Sequence, residues 1–295
     1  MPAEYIMQQI LLALTLSIPI GYIAYKRHGL SLSGAITAII IAIAVFLTGW
    51  QTFLIFLVFF LSSTLLTKWR YMIKEKKQAA EVGRGRGWKQ VIGAGGIASF
   101  FALVLAVNLV NKCYNPEPPY LLKGFFTAML AAIATSNADT WAVEIGAAFN
   151  KEPRLITKPW IRVPAGTSGG VTLIGELASI AGSLLISIVA LILYWISHMY
   201  ELFPWNIFIV NSSRLVLVVF IFGWLGEILD SIVGATLQVK YFCPNCRKLT
   251  DKSIHKCGTK TEYYGGFKLV TNEVTNLIAT SISSTLAFIC SLYML

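Results

Sequence analysis

The chain has 295 residues, of which 56% are hydrophobic and only 13% charged, and its mean hydropathy is +0.68. A soluble globular domain has about 25% charged residues, so this composition excludes a soluble globule and indicates a polytopic membrane protein. The formal net charge is +10, but nucleic-acid binding is not expected, because no soluble domain is large enough to carry a groove-reading element.

Long hydrophobic segments recur and predict an all-α, polytopic integral membrane protein with about eight transmembrane helices. In chain order they are Tyr5–Tyr25, Ser33–Leu47, Thr52–Thr67, Val91–Val110, Leu121–Thr135, Gly170–Ile196, Ile207–Leu225 and Leu269–Leu292. The second, third and fifth are short for a membrane span. No cleavable signal is expected, because the start lacks a basic region and a small-residue cleavage site. We expect residues 1–295 to form one transmembrane domain, with a small cytoplasmic Cys/His loop at 239–266.

Lys and Arg are distributed unevenly between the two sides of the predicted bundle. The loops after the first, third, fifth and seventh helices hold 21 of the 24 Lys and Arg residues. The exceptions are Lys112, Lys123 and Arg214. The positive-inside rule places these loops in the cytoplasm and both termini outside. The loops would also contact anionic membrane lipids. The chemistry is therefore expected at the cytoplasmic face.

Six carboxylates lie near the cytoplasmic ends of predicted helices. Asp139 and Glu144 follow the fifth helix, whereas Glu227 and Asp230 are three residues apart and share a helical face. A charge at membrane depth costs about 2.5–3.5 kcal/mol on insertion scales, so its default interpretation is functional. The alternative is that some of them are interfacial and pair with nearby Lys or Arg. The full set is Asp139, Glu144, Glu176, Glu227, Asp230 and Glu273.

Basic residues and a glycine-rich turn share this face. Arg84 and Arg86 precede the fourth helix within a glycine-rich stretch. Backbone N–H groups at such turns, and a helix N-terminus, favour anions, and Arg and Lys bind phosphate. The alternative is that these Lys and Arg residues only set the membrane topology, and that Thr167 or Ser168 only caps a helix. The second basic segment carries Lys151, Arg154, Lys158 and Arg162, and the turn that follows is Gly166, Thr167, Ser168, Gly169 and Gly170.

Three of the five cysteines and one of the three histidines are clustered in the last basic loop. Cys243, Cys246, His255 and Cys257 have the spacing C-x2-C-x8-H-x-C, which favours a structural zinc ribbon. The alternative is reduced free thiols, and a disulfide is not expected in the cytoplasm. Since all four ligand positions would be filled, the metal would have no catalytic role.

Seven short sequence segments, spread over the chain, resemble a known family. They are Ser31–Ala35, Ser62–Lys68, Gly85–Val91, Ala134–Gly146, Pro153–Thr157, Val163–Thr172 and Gly226–Gln238. Together they resemble the integral-membrane family that includes plant phytyl-phosphate kinase and an animal transmembrane protein of unassigned role. The departures are Ser168 and Ala94, where asparagine is expected, and a looser asparagine-rich motif at Thr271–Asn276.

A fainter likeness links the chain to CTP-dependent membrane enzymes, namely the phosphatidate cytidylyltransferases and the dolichol and phytol kinases. Those enzymes also have an Asp-Thr pair before a helix, a basic segment and a glycine-rich turn. The likeness implies a nucleoside triphosphate as donor, with CTP favoured, and Mg²⁺ as cofactor.

The sequence and the resemblance together predict a kinase that converts an isoprenoid monophosphate, with its chain between helices, into the diphosphate. Asp139, Glu227 and Asp230 are predicted to hold Mg²⁺, and these three with Asn137 and Glu144 form the predicted catalytic set. The predicted phosphate and nucleotide ligands are Lys68, Arg84, Arg86, Arg154, Lys158, residues Gly166 to Gly170, Asn272 and Asn276.

Three alternatives remain open at this point. Nucleotidyl transfer to a lipid phosphate would use the same residues and release pyrophosphate. An ion-coupled transporter would also contain glycine-rich helices with buried carboxylates, although the polar residues crowd one face. A scaffold that binds a partner through the zinc loop would leave the buried acids unexplained.

Overall fold

The computed structural model describes residues 3–77, 85–111, 119–149, 152–208, 210–255 and 257–295. These residues form nine α-helices and two small sheets. A short 3-10 turn, Trp205–Ile207, lies between α7 and α8. The helices are α1 (Ala3–Lys26), α2 (Leu32–Phe46), α3 (Trp50–Lys68), α4 (Tyr71–Lys76), α5 (Trp88–Asn111), α6 (Pro119–Ala148), α7 (Leu173–Met199), α8 (Ser212–Thr236) and α9 (Asn272–Met294).

Seven helices in the described residues, all except α2 and α4, are long and apolar enough to cross a membrane. Although α2 has only 15 residues, it connects the two ends of the bundle. Before its start, the N–H of Ser31 donates to the backbone oxygen of Arg86 (3.1 Å). After its end, the backbone oxygen of Thr48 accepts from Nε1 of Trp205 (3.1 Å). The prediction of an all-α, multi-pass membrane protein is confirmed.

Helix α6 is the centre of the bundle. It packs against α3, α5, α7, α8 and α9, and 83% of its most apolar stretch is buried, compared with 22% for α1. Small residues permit this close packing, since a Cβ on Gly223 of α8 would lie 2.6 Å from the Cβ of Ala134. Side chains of α6 therefore face other helices much more than lipid.

Two helices extend further than the hydrophobic pattern predicted. α6 continues to Ala148 instead of ending at Thr135, and α8 continues to Thr236 instead of ending at Leu225. The acids predicted to follow the fifth helix therefore lie on it. The polar residues at which the helix was predicted to end are hydrogen-bonded to neighbouring helices instead. For example, the hydroxyls of Thr135 and Ser283 lie 3.1 Å apart.

Three helices begin later than predicted. α7, α8 and α9 start at Leu173, Ser212 and Asn272. For α7 the reason is an N-cap, because Oγ1 of Thr172 accepts from the N–H of Gly175 at 3.0 Å. The glycine-rich turn therefore precedes α7 and is not part of it.

The two sheets lie at the end of the bundle where α6 and α8 finish and α7 and α9 begin, and we call it the polar end. Their strands are antiparallel, in the orders β2-β1-β3 and β5-β4-β6. The bounds of these strands could not be predicted from the sequence, because strands of two to five residues leave no clear periodicity. The strands are β1 (Arg154–Leu155), β2 (Lys158–Arg162), β3 (Gly170–Val171), β4 (Lys240–Cys243), β5 (Lys248–Thr250) and β6 (Glu262–Gly265).

Candidate functional site

A cavity of about 170 Å³ lies at the polar end, among α6, α7, α8 and the start of α9. Four carboxylates line it, those of Asp139, Glu176, Glu227 and Asp230, and we call it the acid cavity. The tertiary structure thus brings together acids from three helices and the glycine-rich turn. The turn and α9 contribute Gly166, Thr167, Gly169, Gly170 and Asn272 to the lining.

Hydrogen bonds orient two of these carboxylates. Glu227 is only 2% exposed and accepts from the hydroxyls of Ser179 (3.1 Å) and Ser231 (3.2 Å). The side-chain NH₂ group of Asn276 donates to the carboxylate of Asp230 at 2.9 Å. In the same amide orientation it also donates to the backbone oxygen of Asn272 at 3.0 Å. Asn276 thus positions Asp230 from the first turns of α9.

Ion pairs do not neutralise the acid cavity within the described part of the chain. No Lys or Arg there forms an ion pair with Glu176, Glu227 or Asp230, while Asp139 interacts electrostatically with Arg86. Uncompensated carboxylates in a low-dielectric site are costly. The donor set therefore suits a divalent cation, because Mg²⁺ and Ca²⁺ bind carboxylate oxygens.

The glycine-rich turn is held tightly against α8. Gly166 and Gly169 have left-handed backbones, with φ of +82° and +74°, and a Cβ on Gly169 would lie 2.5 Å from the Cβ of Ala235. The hydroxyl of Ser168 lies 2.5 Å from Oε1 of Gln238, beyond the end of α8. Ser168 therefore anchors the turn, while its neighbours line the acid cavity.

Glu144, one of the predicted catalytic acids, lies in a different cluster. Its carboxylate is 2.5 Å from Nζ of Lys74, accepts from the Thr67 hydroxyl at 2.6 Å, and lies 3.9 Å from Nη2 of Arg86. The Lys74 side chain is 1% exposed and also donates to the backbone oxygens of Leu66 and Thr67. Glu144 therefore neutralises a buried lysine. This role of Lys74 was not evident from the sequence, because Lys74 lies within a basic run predicted to form a cytoplasmic loop.

Asn137 forms a buried link between helices. Its oxygen accepts from the hydroxyl of Ser62 on α3 (3.0 Å), and its NH₂ group donates to the backbone oxygen of Gly182 on α7 (2.7 Å). Both amide atoms are thus engaged in packing three helices together. Asn137 does not line the acid cavity.

The predicted phosphate-binding cations are divided among three locations. Arg154 and Lys158 lie exposed on β1 and β2, where Arg154 donates to the backbone oxygen of Pro159 (2.8 Å), and neither lines the acid cavity. Lys68 and Arg86 line a second cavity of about 220 Å³ beside α2, α3 and α5. Arg84 lies outside the described residues.

The Cys/His residues form a compact cluster in the sheet that follows α8. The potential ligand atoms of Cys243, Cys246, His255 and Cys257 all lie within 4.8 Å of one another. The two sulfurs of Cys243 and Cys257 are 3.7 Å apart, and Nδ1 of His255 is 3.1 Å from the sulfur of Cys257. A hydrogen bond with Thr259, and to a smaller extent one with His255, lowers the pKa of the Cys257 thiol to about 5. The thiolate is thus favoured at Cys257, whereas the hydrogen bond with Cys257 raises the pKa of the Cys246 thiol to about 11.

Comparison with known proteins identifies relatives along nearly the whole chain. Residues 15–284 match the family described as integral membrane protein DUF92. Protein PGR of Arabidopsis thaliana is 31% identical over 97% of each chain. Protein VTE6, chloroplastic, of the same plant is 28% identical over 90% of this chain and 67% of its own length. An uncharacterized membrane protein of Methanocaldococcus jannaschii is 28% identical over 67% of this chain and 70% of its own. No solved structure matches.

Proposed function

Because the chain belongs to the integral membrane protein family DUF92, we propose that the acid cavity is the active site of a membrane kinase. The enzyme transfers the γ-phosphoryl group of a nucleoside triphosphate to an isoprenoid monophosphate, and the products are the prenyl diphosphate and the nucleoside diphosphate. The observation that carries this proposal is the meeting of four carboxylates with a glycine-rich turn in one cavity. The substrate class is supported by the resemblance to the family that includes plant phytyl-phosphate kinase.

The carboxylates of the acid cavity fit Mg²⁺ as the cofactor. Asp139, Glu227 and Asp230 would hold it, and Glu176 lines the same cavity. Among the described residues no Lys or Arg forms an ion pair with Glu227 or Asp230, which supports this assignment. When bound, Mg²⁺ shields the negative charge of phosphate oxygens. The serines that hydrogen-bond to Glu227, and Asn276 at Asp230, fix the orientation of these ligands.

The glycine-rich turn is the proposed site of the donor phosphates. Gly166 and Gly169 adopt left-handed conformations, and backbone N–H groups in such turns form anion-binding concavities. Thr167 adds a hydroxyl and Asn272 an amide to the same lining. CTP is the favoured donor because of the likeness to CTP-dependent membrane enzymes. Arg154 and Lys158, exposed on their hairpin, have no part in this proposal.

The chemistry needs no histidine base. An oxygen of the lipid monophosphate attacks the γ-phosphorus, a new P–O bond forms, and the bond to the leaving nucleoside diphosphate breaks. A phosphate monoester is already a nucleophile, so catalysis rests on positioning and charge neutralisation. The polar end would face the cytoplasm, where the positive-inside rule puts the basic loops, with both termini outside.

The Cys/His cluster is the proposed site of a structural zinc ion. Cys243 at the end of β4 and Cys246 in the turn that follows lie close to His255 and Cys257. Together they provide four ligands, enough for a tetrahedral site. The cluster follows directly after α8 and Gln238, which contacts the glycine-rich turn through Ser168. The ion would stabilise the sheet behind the donor site and leave no open position for catalysis.

The proposal is tested with the full-length protein purified in detergent. The protein is incubated with Mg²⁺, CTP or ATP, and geranylgeranyl or phytyl monophosphate, and the lipid product is identified by mass. A gain of one phosphate, lost in Asp139→Asn, is expected. The matched control is Glu152→Gln, an exposed acid paired with Arg162, which should keep full activity.

Each other outcome has a defined meaning. A CMP adduct with pyrophosphate release would replace phosphoryl transfer by nucleotidyl transfer in the same cavity. Wild-type activity in Asp139→Asn would remove that carboxylate from the mechanism. The absence of turnover with every nucleotide, in protein that unfolds cooperatively, would overturn the kinase proposal and favour ion-coupled transport.

A further inference from the structure

A fissure runs from the polar end into the membrane-spanning part of the bundle, separate from the acid cavity. Its wide part is the cavity of about 220 Å³ beside α2, α3 and α5. A narrower cavity of about 50 Å³ continues it among α1, α2 and α3. The two cavities share Leu30, Ala38, Phe56 and Phe60 in their linings, so they adjoin one another in a line.

The lining of the fissure changes from cationic to apolar along its length. At the polar end, Arg27, Lys68 and Arg86 line the mouth. In the narrow part the lining is almost entirely hydrocarbon, including Phe53 and Leu57. One end therefore suits an anion and the other an apolar chain, which is the polarity of an amphiphile with an acidic head.

The segment that carries Arg86 at the cationic mouth is held in place by backbone contacts. The N–H of Arg86 donates to the backbone oxygen of Gly29, and the N–H of Ser31 donates to that of Arg86, both at 3.1 Å. Gly85 has a φ of +74°, and any Cβ on Gly34 would clash with the backbone oxygen of Arg86 at 2.0 Å. These contacts fix the segment that carries Arg86 against the start of α2.

Arg86 connects the fissure to the acid cavity. Its guanidinium donates to the Thr67 hydroxyl at 3.2 Å, lies 3.9 Å from Glu144 and interacts electrostatically with Asp139. An anion held at the mouth would therefore contact a guanidinium that also acts on a carboxylate of the acid cavity.

We propose that this fissure binds the lipid substrate, a single-chain alkyl or prenyl monophosphate. Its phosphate is held by Arg27, Lys68 and Arg86, and its hydrocarbon chain lies along Phe56 and Phe60 into the narrow part. Arg and Lys suit a phosphate monoester. A single line of two adjoining cavities accommodates one chain, which disfavours two-chain phospholipids. This inference rests on the proposed function for its substrate class and adds where, and with which residues, that substrate binds.

The test is a binding experiment without nucleotide, so that it does not depend on turnover. The probe is a C20 prenyl monophosphate with a photoreactive diazirine in its last isoprene unit, and the protein is the full chain in detergent. We expect labelling within α2 and α3, near Phe53 and Leu57. Unlabelled prenyl monophosphate should compete, whereas phosphatidic acid and inorganic phosphate should not. Labelling confined to α7–α9, or equal competition by phosphatidic acid, would overturn the proposal.

Two matched pairs of variants sharpen the test. Arg27→Gln should weaken probe binding about tenfold, because one charged hydrogen bond to phosphate is lost, whereas Lys26→Gln, outside the lining, should not. Ala38→Phe should block the channel and raise the KM for lipid but not for nucleotide, whereas Ile40→Phe, on the exposed side of α2, should change neither. If Arg27→Gln binds as the wild type does, the mouth is assigned wrongly.

The two proposals fail in different ways. Labelling of α2 and α3 without turnover on any nucleotide would retain the lipid site and refute the kinase. Normal phosphoryl transfer with labelling elsewhere in the bundle would retain the kinase and refute this lipid site.

Discussion

Gly169 offers the sharpest test of the glycine-rich turn. Its φ is +74°, and a non-glycine residue in this left-handed region costs about 1–2 kcal/mol. A Cβ would also lie 2.5 Å from the Cβ of Ala235, and such overpacking costs about a further 1–3 kcal/mol. Gly169→Ala should therefore lower the free energy of unfolding by roughly 2–5 kcal/mol in sum. Because the turn must move away from α8, phosphoryl transfer should fall roughly 100-fold.

Gly258 provides the matched control. Its φ is +83°, but a Cβ there would meet no atom within 4 Å, so Gly258→Ala carries the backbone strain without the clash. We expect a loss of only about 1–2 kcal/mol and unchanged turnover. Unfolding is followed in mixed detergent micelles, and the lipid product is measured by mass. If the two variants lose equal stability, or if Gly169→Ala keeps wild-type turnover, the contact between the turn and α8 does not support the site.

Three other predictions concern side chains that the structure assigns to different tasks. Glu144→Gln should destabilise the fold by about 3–5 kcal/mol, since it leaves Lys74 buried without its carboxylate. Replacing both residues by leucine should restore the folded yield. A Glu144→Gln variant with wild-type stability but no turnover would instead assign Glu144 to catalysis. Asn276→Ala should reduce kcat about tenfold without changing lipid affinity, because Asp230 loses its positioning hydrogen bond. Steady-state kinetics would show an unchanged kcat if that role is absent. Metal analysis should find one zinc ion per chain, lost in Cys243→Ala but retained in Cys290→Ala, and a zinc-free wild type would leave the cluster as free thiols.

The class of the protein and its strongest local motifs could be predicted from the sequence. Hydrophobic segments alone determine a multi-pass helical membrane protein, because each must bury its backbone polar groups within a helix. The spacing of Glu227 and Asp230 correctly placed them on one helical face. The four Cys and His residues are close in sequence, so a few turns and strands suffice to bring their ligand atoms together.

The membership of the acid cavity was decided by tertiary structure. With the fifth helix predicted to end at Thr135, Asp139 and Glu144 looked equivalent. In the continuous α6 they are five residues apart, which rotates the two side chains by roughly 140° around the axis. Asp139 therefore faces the cavity, whereas Glu144 faces Lys74.

Hydrophobicity follows from residue type and chain order, so the sequence by itself determined which segments are helices of a membrane protein and which acids were candidates. Whether a polar side chain lies in a cavity, joins two helices or neutralises a buried charge depends on what the neighbouring helices present to it. Asn137, Glu144 and Glu176 were each assigned by that packing, because contacts between segments far apart in the chain leave no pattern in the sequence of either segment.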